Sequence, residues 1–110
     1  MSDSPQHEII LGFAEPVEGR EAEFEEWYST VHIPELLQLP GFVSAQRYEV
    51  LTADPASGPG RFVTAYTIEG SAVEARNAVF GATLTATTAM DTTVTILAPL
   101  RPLGAPHSAS

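Results

Sequence analysis

Between Pro5 and Pro16 the chain runs His7-Glu8-Ile9-Ile10-Leu11-Gly12-Phe13-Ala14, with large apolar residues at consecutive positions. A run this short, closed by a proline on either side, has no room for a stable helix and reads as a β-strand. Side chains alternate across a strand, so consecutive apolar residues make both of its faces apolar. Whatever this chain folds into must therefore cover one strand from two sides.

The rest of the pattern says what is at hand to cover it. Gly19 opens a helix whose first turn carries Glu21 and Glu23, where acidic groups oppose the macrodipole. Phe24, Trp27, Tyr28 and Val31 recur at helical spacing and form one apolar stripe. A straight continuation would place Ile33 on the acidic side, and Pro34 removes an N–H and disfavours α backbone at Ile33. The helix is therefore expected to end or kink near His32, with a short turn over Glu35–Leu39. Pro40-Gly41 then leads into a second strand, Phe42–Leu51, with faces Phe42/Ser44/Gln46/Tyr48/Val50 and Val43/Ala45/Arg47/Glu49/Leu51. Thr52–Gly60 reads as a loop, and Arg61–Glu69 as a third strand. Ser71 and Glu74 form a capping box for a second helix starting at Ala72. Its expected face is Val73, Asn77, Phe80 and Leu84, and Gly81 with the Thr-rich run to Thr88 weakens its far half. Thr92–Leu100 reads as a fourth strand.

The element order is β-α-β-β-α-β, the split βαβ arrangement of ferredoxin-like folds. The expectation is an α+β domain over residues 7–101, between an N-terminal tail (1–6) and a C-terminal tail (102–110). The second tail is expected to be mobile unless it docks on a neighbour. A four-stranded antiparallel sheet with both helices on one face leaves the other face uncovered. That face is apolar too, as Ile10 beside Ile9, Val43, Leu51, Val63 and Ala65 indicate. A monomer would expose a patch on the order of several hundred Å², which single chains rarely tolerate. A homodimer with two sheets packed face to face resolves this.

Charge narrows the partners. The 110 residues carry a formal charge of −9, and all five basic residues are arginine. Such a surface repels phosphate backbones and anionic membranes, so neither nucleic acid nor lipid is an expected partner. Seven acids fall between Glu15 and Glu35, a solvated acidic helix face rather than a cation site. There is no cysteine, so disulfides, thiolate nucleophiles and cysteine-bound metals are excluded. No run approaches the ~20 apolar residues of a membrane span. Residues Met1–Pro5 lack a basic and an apolar region, so no signal peptide is expected and a cytoplasmic location is.

The run Phe24-x-x-Trp27-Tyr28-x-x-x-His32-x-Pro34-Glu35, followed by Leu39-Pro40-Gly41-Phe42 and Arg47-Tyr48, resembles the dimeric α+β barrel superfamily. It looks most like the small EthD-like members, and the resemblance spans most of the chain, from the first strand to the fourth. It implies two sheets closing into an eight-stranded barrel, with a cleft between sheet and helices in each subunit. Its relatives include cofactor-free monooxygenases, polyketide cyclases, muconolactone isomerases, haem-handling enzymes and proteins without known activity, so fold does not fix function.

His32, one turn after Tyr28 where the helix breaks, is the candidate acid/base, since imidazole titrates near neutrality and moves protons without a cofactor. By resemblance, this histidine serves as general base or acid in isomerase and cyclase relatives. The bland alternative is a structural histidine bonded to a carbonyl or carboxylate. Tyr28 is the candidate oxyanion donor, or else a core residue with a wet hydroxyl. Trp27 is pocket wall or core packing. Glu35 is a candidate to orient the imidazole. Arg47 either anchors a substrate carboxylate or pairs with Glu49, Glu69 or Glu35. Tyr48 and Tyr66 are expected to line the cleft from the sheet side. No metal or cofactor is expected: His32 and Glu35 are only two ligands, and His7-Glu8 has no spacing signature. Gly58-x-Gly60 does not precede a helix and is no phosphate cradle, and His107 carries no signal.

Two readings result. One is a small cofactor-independent isomerase, cyclase or lyase, with substrate-assisted oxygenation as a variant, acting on an aromatic, polyketide-like or lactone molecule. The other is a non-catalytic dimeric binding or accessory protein whose pocket holds a small apolar or aromatic ligand.

Overall fold

In a computed structural model the described residues are 6–109; the expected N-terminal tail, apart from Gln6, lies outside them. Strands β1 (Glu8–Ala14), β2 (Phe42–Glu49), β3 (Phe62–Ile68) and β4 (Ile96–Leu100) form one antiparallel sheet in the order β2-β3-β1-β4. With helical crossovers after β1 and β3, this is an α+β architecture compatible with a ferredoxin-like fold. No described helix is long and apolar enough to cross a membrane.

The first crossover departs from expectation in an informative way. Helix α1 (Glu21–Trp27) does not stop at the proline; it passes through a π turn (Tyr28–His32) into α2 (Ile33–Leu36). Ile33 stays helical, at φ −60° and ψ −47°, and its N–H reaches back five residues to the Tyr28 carbonyl. In a regular α-helix the Pro34 ring would press on the carbonyl four residues earlier. The wider turn relieves that clash, and the missing Pro34 N–H falls at the start of α2, where it is tolerated. The Ser29 and Thr30 hydroxyls donate to the Glu25 and Glu26 carbonyls at this point, a local competition that favours bending.

Strand β2 carries a second correction. Between Phe42 and Ser44 the register against β3 shifts by one residue, so Val43 sits in a β-bulge. Past the bulge the faces swap, and Phe42 shares the helix side with Ala45 and Arg47 instead of with Ser44 and Tyr48. Val43 is consequently exposed, and Leu51, beyond the strand, is 93% exposed. Neither belongs to the apolar outer face. That face is made by Ile9, Leu11, Phe13, Val63, Ala65 and Ile96, none of them fully buried.

On the helix side two clusters fill the core. Ile10, Tyr66 and Ile68 pack with Phe42, Leu36, Ala72 and Ala75, while Ala14 packs with Phe24, Tyr28 and Ala89. Helix α3 (Ala72–Gly81) begins where expected, with Ser71 Oγ accepting from the Glu74 N–H and the Glu8 carboxylate from the Ala72 N–H. Its packed face is different: Ala72 and Ala75 are buried, whereas Val73, Asn77 and Phe80 are exposed. Small residues let the helix lie close to the sheet; Val79 and, beyond the helix, the expected Leu84 pack partly on the core, while Val73 and Phe80 stay largely exposed. The helix stops at Gly81, and Thr85–Thr88 is irregular. Thr92–Val94 forms a 3₁₀ turn instead of extending β4.

Gly41 turns the chain into β2 at φ +92°, with its carbonyl accepting from the Glu69 N–H. A Cβ there would also meet the Glu69 carbonyl oxygen at 3.3 Å. Gly41→Ala is expected to cost about 1–2 kcal/mol, read as a lower urea midpoint at unchanged m-value; an unchanged midpoint would show that this turn carries no strain.

Candidate active site

The π turn places three aromatic groups together. The His32 ring stacks on Trp27 with centroids 4.7 Å apart and planes 22° off parallel, and meets Tyr28 edge-on at 4.8 Å. His32 and Tyr28 also line a cavity of about 200 Å³ between sheet and helices. Gly12, Tyr28, His32, Leu36, Phe80 and Leu97 are among its lining residues. Wider, more open grooves lie at the Thr52–Arg61 loop and beside the C-terminal tail, but no aromatic or imidazole side chain lines them.

His32 Nδ1 is buried, and none of the described residues gives it a hydrogen bond. Burial disfavours the charged ring and pulls its pKa down from 6.5 to about 4; the Glu35 charge opposes this and the Arg47 charge adds to it. At neutral pH the ring is therefore uncharged. One nitrogen carries a proton and the other a lone pair, so it can give or take one hydrogen bond inside an apolar space.

Tyr28 belongs to a buried hydroxyl group of three. Its oxygen lies 3.2 Å from the Tyr66 hydroxyl, and the Thr64 hydroxyl donates to it at 3.3 Å. Tyr66 is fully buried, and its ionisation is pushed far up by desolvation and by the neighbouring Tyr28. If Tyr66 donates to Tyr28, both acceptor positions of the Tyr28 oxygen are filled and its own proton is free; in the opposite orientation that proton is taken.

Arg47 does not reach the cavity. The bulge at Val43 turns it toward α1, where its guanidinium lies 4.4 Å from the Tyr28 ring centre and 5.4 Å from that of Phe62. Both terminal nitrogens bond to the Glu25 carboxylate, a partner absent from the expected three. The group is thus occupied as a cross-brace between β2 and α1. Tyr48 lies on the opposite side of the sheet from the cavity, 55% exposed, because the register shift reversed its face.

Glu35 does not hold the imidazole either. Its two carboxylate oxygens accept from the Thr85 N–H at 2.9 Å and the Thr85 hydroxyl at 2.6 Å, which lowers its pKa. The Trp27 indole N–H donates to the Thr85 carbonyl at 3.1 Å. Thr85 thereby ties α1 to α2 across the π turn and fixes the ring on which His32 stacks. Nothing local in the sequence marks this residue, which lies far along the chain from both partners. Gly12 was legible in principle, since a glycine inside a strand signals a close approach or a space.

The chain was compared with protein-family models, curated proteins and solved structures. None matches. The site must accordingly be read from its own chemistry. Among the described residues no three His, Asp or Glu side chains are grouped to hold a metal ion. What the residues do bring together is a neutral imidazole with an unpartnered nitrogen, a phenol one turn away, and an apolar cavity open to a small molecule.

The depressed His32 pKa has a sign that can be tested. The folded chain binds this proton less readily than the unfolded chain, so the stability it permits is complete above pH 6.5. That stability falls away as pH drops toward about 4. The full loss is about 3 kcal/mol. His32→Phe keeps a ring against Trp27 and removes the titration. Urea unfolding between pH 7 and pH 4 is expected to show wild type losing up to that much more than the variant; parallel curves would rule out a buried neutral imidazole.

Proposed function

We propose that this chain is a dimeric α+β barrel protein of the EthD-like type and a small cofactor-independent enzyme of the isomerase, cyclase or lyase class. The observation that carries the reading is the neutral His32 imidazole in the wall of an apolar cavity, with an Nδ1 that is buried and given no partner by the described residues. A structural histidine would spend that nitrogen on a carbonyl or carboxylate, because an unpaired buried polar atom is costly. A ring not pinned by such a bond, standing in a cavity wall, is instead available to a ligand.

The chemistry that fits is proton transfer at an acidic C–H or O–H. Neutral His32 accepts a proton from the bound molecule, and the developing oxyanion beside it raises the low imidazole pKa in the same event. Tyr28 donates to that oxyanion when Tyr66 supplies its hydrogen bond. Arg47, in this reading, acts only by bracing Tyr28, and Glu35 by holding Thr85.

The dimer rests on the outer sheet face. Ile9, Leu11, Phe13, Val63 and Ala65 form a continuous apolar surface without a helix over it, and a second copy of the same sheet covers it with like chemistry. One observation favours the alternative of a dimeric binding or accessory protein: the cavity offers a single acid/base, and an imidazole with a pKa of about 4 is a weak base until a substrate charge raises it.

Two measurements test the proposal. Sedimentation is expected to give a dimer, and Leu11→Glu on the outer face a monomer; a wild-type monomer would remove the barrel. Proton NMR in D₂O would follow deuterium incorporation into a panel of cyclic ketones, lactones and phenols. At least one member is expected to exchange at carbon with wild type and about 10²-fold or more slowly with His32→Ala. Equal exchange with both proteins would leave the binding reading in place.

A further inference from the structure

The cavity itself limits what can occupy it, and that limit rests on the reading that His32 faces the ligand. An apolar cavity of about 150 Å³ accommodates a benzene ring. The space here, about 200 Å³ between sheet and helices, adds room for a second fused ring but not for a third. Its wall is almost wholly apolar, with Leu36, Val79, Phe80, Met90 and Leu97 lining it together with the His32 ring. Among the described residues no cation lines it: Arg47 is held by Glu25 and stacked over Tyr28 and Phe62. A carboxylate ligand would lose its hydration with nothing to replace it, in a chain of net charge −9.

Gly12 sets the remaining dimension. It lies mid-strand in β1, on the helix side, with no positive φ that would require glycine. A glycine inside a strand weakens it, so its presence here answers a need for space. A Cβ built on it would come within 3.2 Å of Leu97 Cδ2 and 3.4 Å of Tyr66 Cε2. Leu97 also lines the cavity, so any side chain at position 12 either fills the space or drives Leu97 into it.

We infer that the cavity selects an uncharged ring system of at most two fused rings, bearing one phenolic or carbonyl oxygen placed against the His32 imidazole, and that Gly12 is the residue that sets this size limit. Carboxylated and polycyclic molecules are excluded. Of the substrate classes raised by the resemblance, this retains small aromatic and lactone molecules and removes extended polyketides.

The test uses 2-naphthol, 2-naphthoate and 2-hydroxyanthracene as probes in calorimetric titrations of the full chain at pH 7, with His32 imidazole resonances followed by NMR. Wild type is expected to bind 2-naphthol at least tenfold more tightly than either other probe, with a shift of the His32 resonances. Gly12→Val is expected to lose at least tenfold in 2-naphthol affinity, and Gly12→Ala to fall between. Should Gly12→Val fail to fold, Leu97→Ala, which opens the same corner, is expected to gain affinity for 2-hydroxyanthracene. Equal or tighter binding of 2-naphthoate, no binding of 2-naphthol, or unchanged affinity in both Gly12→Ala and Leu97→Ala would each overturn the inference. A protein that selects 2-naphthol in this way yet exchanges no proton leaves the inference standing and removes the catalytic reading. Turnover of a charged or polycyclic substrate removes the inference alone.

Discussion

The site depends on one clash and its resolution. Pro34 cannot sit inside a tight α-helix without pressing on the carbonyl a turn earlier. The chain answers by widening the helix instead of ending it, with Ile33 bonded five residues back to Tyr28. The π turn that results runs from Tyr28 to His32. It lets Tyr28 remain in the core while His32 stands against the cavity, and it leaves the imidazole nitrogen without a partner. A regular helix across the same residues would have set these side chains at other angles to the sheet.

A widened helix needs bracing, and two interactions supply it from opposite sides. Arg47, reaching from β2, lies over Tyr28 and pairs with Glu25. Thr85, reaching from the segment after α3, joins Trp27 before the turn to Glu35 beyond it. Neither bond is strong alone, since both involve partly exposed groups. Together they hold the two ends of the turn to separate parts of the fold. Charged residues that look chemical in the sequence are thereby engaged in positioning, and the cavity is left to a single neutral ring.

The sequence carried most of the architecture because hydrophobic period and turn residues act locally. The double-faced β1, the Ser71 cap and the Pro40-Gly41 turn all sit within a residue or so of where pattern places them. Errors came where one residue alters register. The Val43 bulge reversed the rest of β2, which moved Tyr48 away from the cleft and Arg47 toward Glu25. Helix α3 misled for another reason: alanines at 72 and 75 pack closer than valine or phenylalanine could, so the smaller residues form the buried face. His32 and Tyr28 were legible by type and spacing, whereas Thr85 depends on tertiary contact and leaves no local mark.

Trp27 is the only tryptophan in the chain, and it is the ring on which His32 lies. Indole emission is sensitive to the polarity and charge of its immediate surroundings. The protein therefore carries a built-in optical gauge within van der Waals range of its candidate site, with no second indole to blur the signal. Protonation of the imidazole, displacement of the stack by a guest molecule, or release of the Thr85 carbonyl from the indole N–H would each alter the same single fluorophore. The packing that holds the site in shape also makes its state visible from outside.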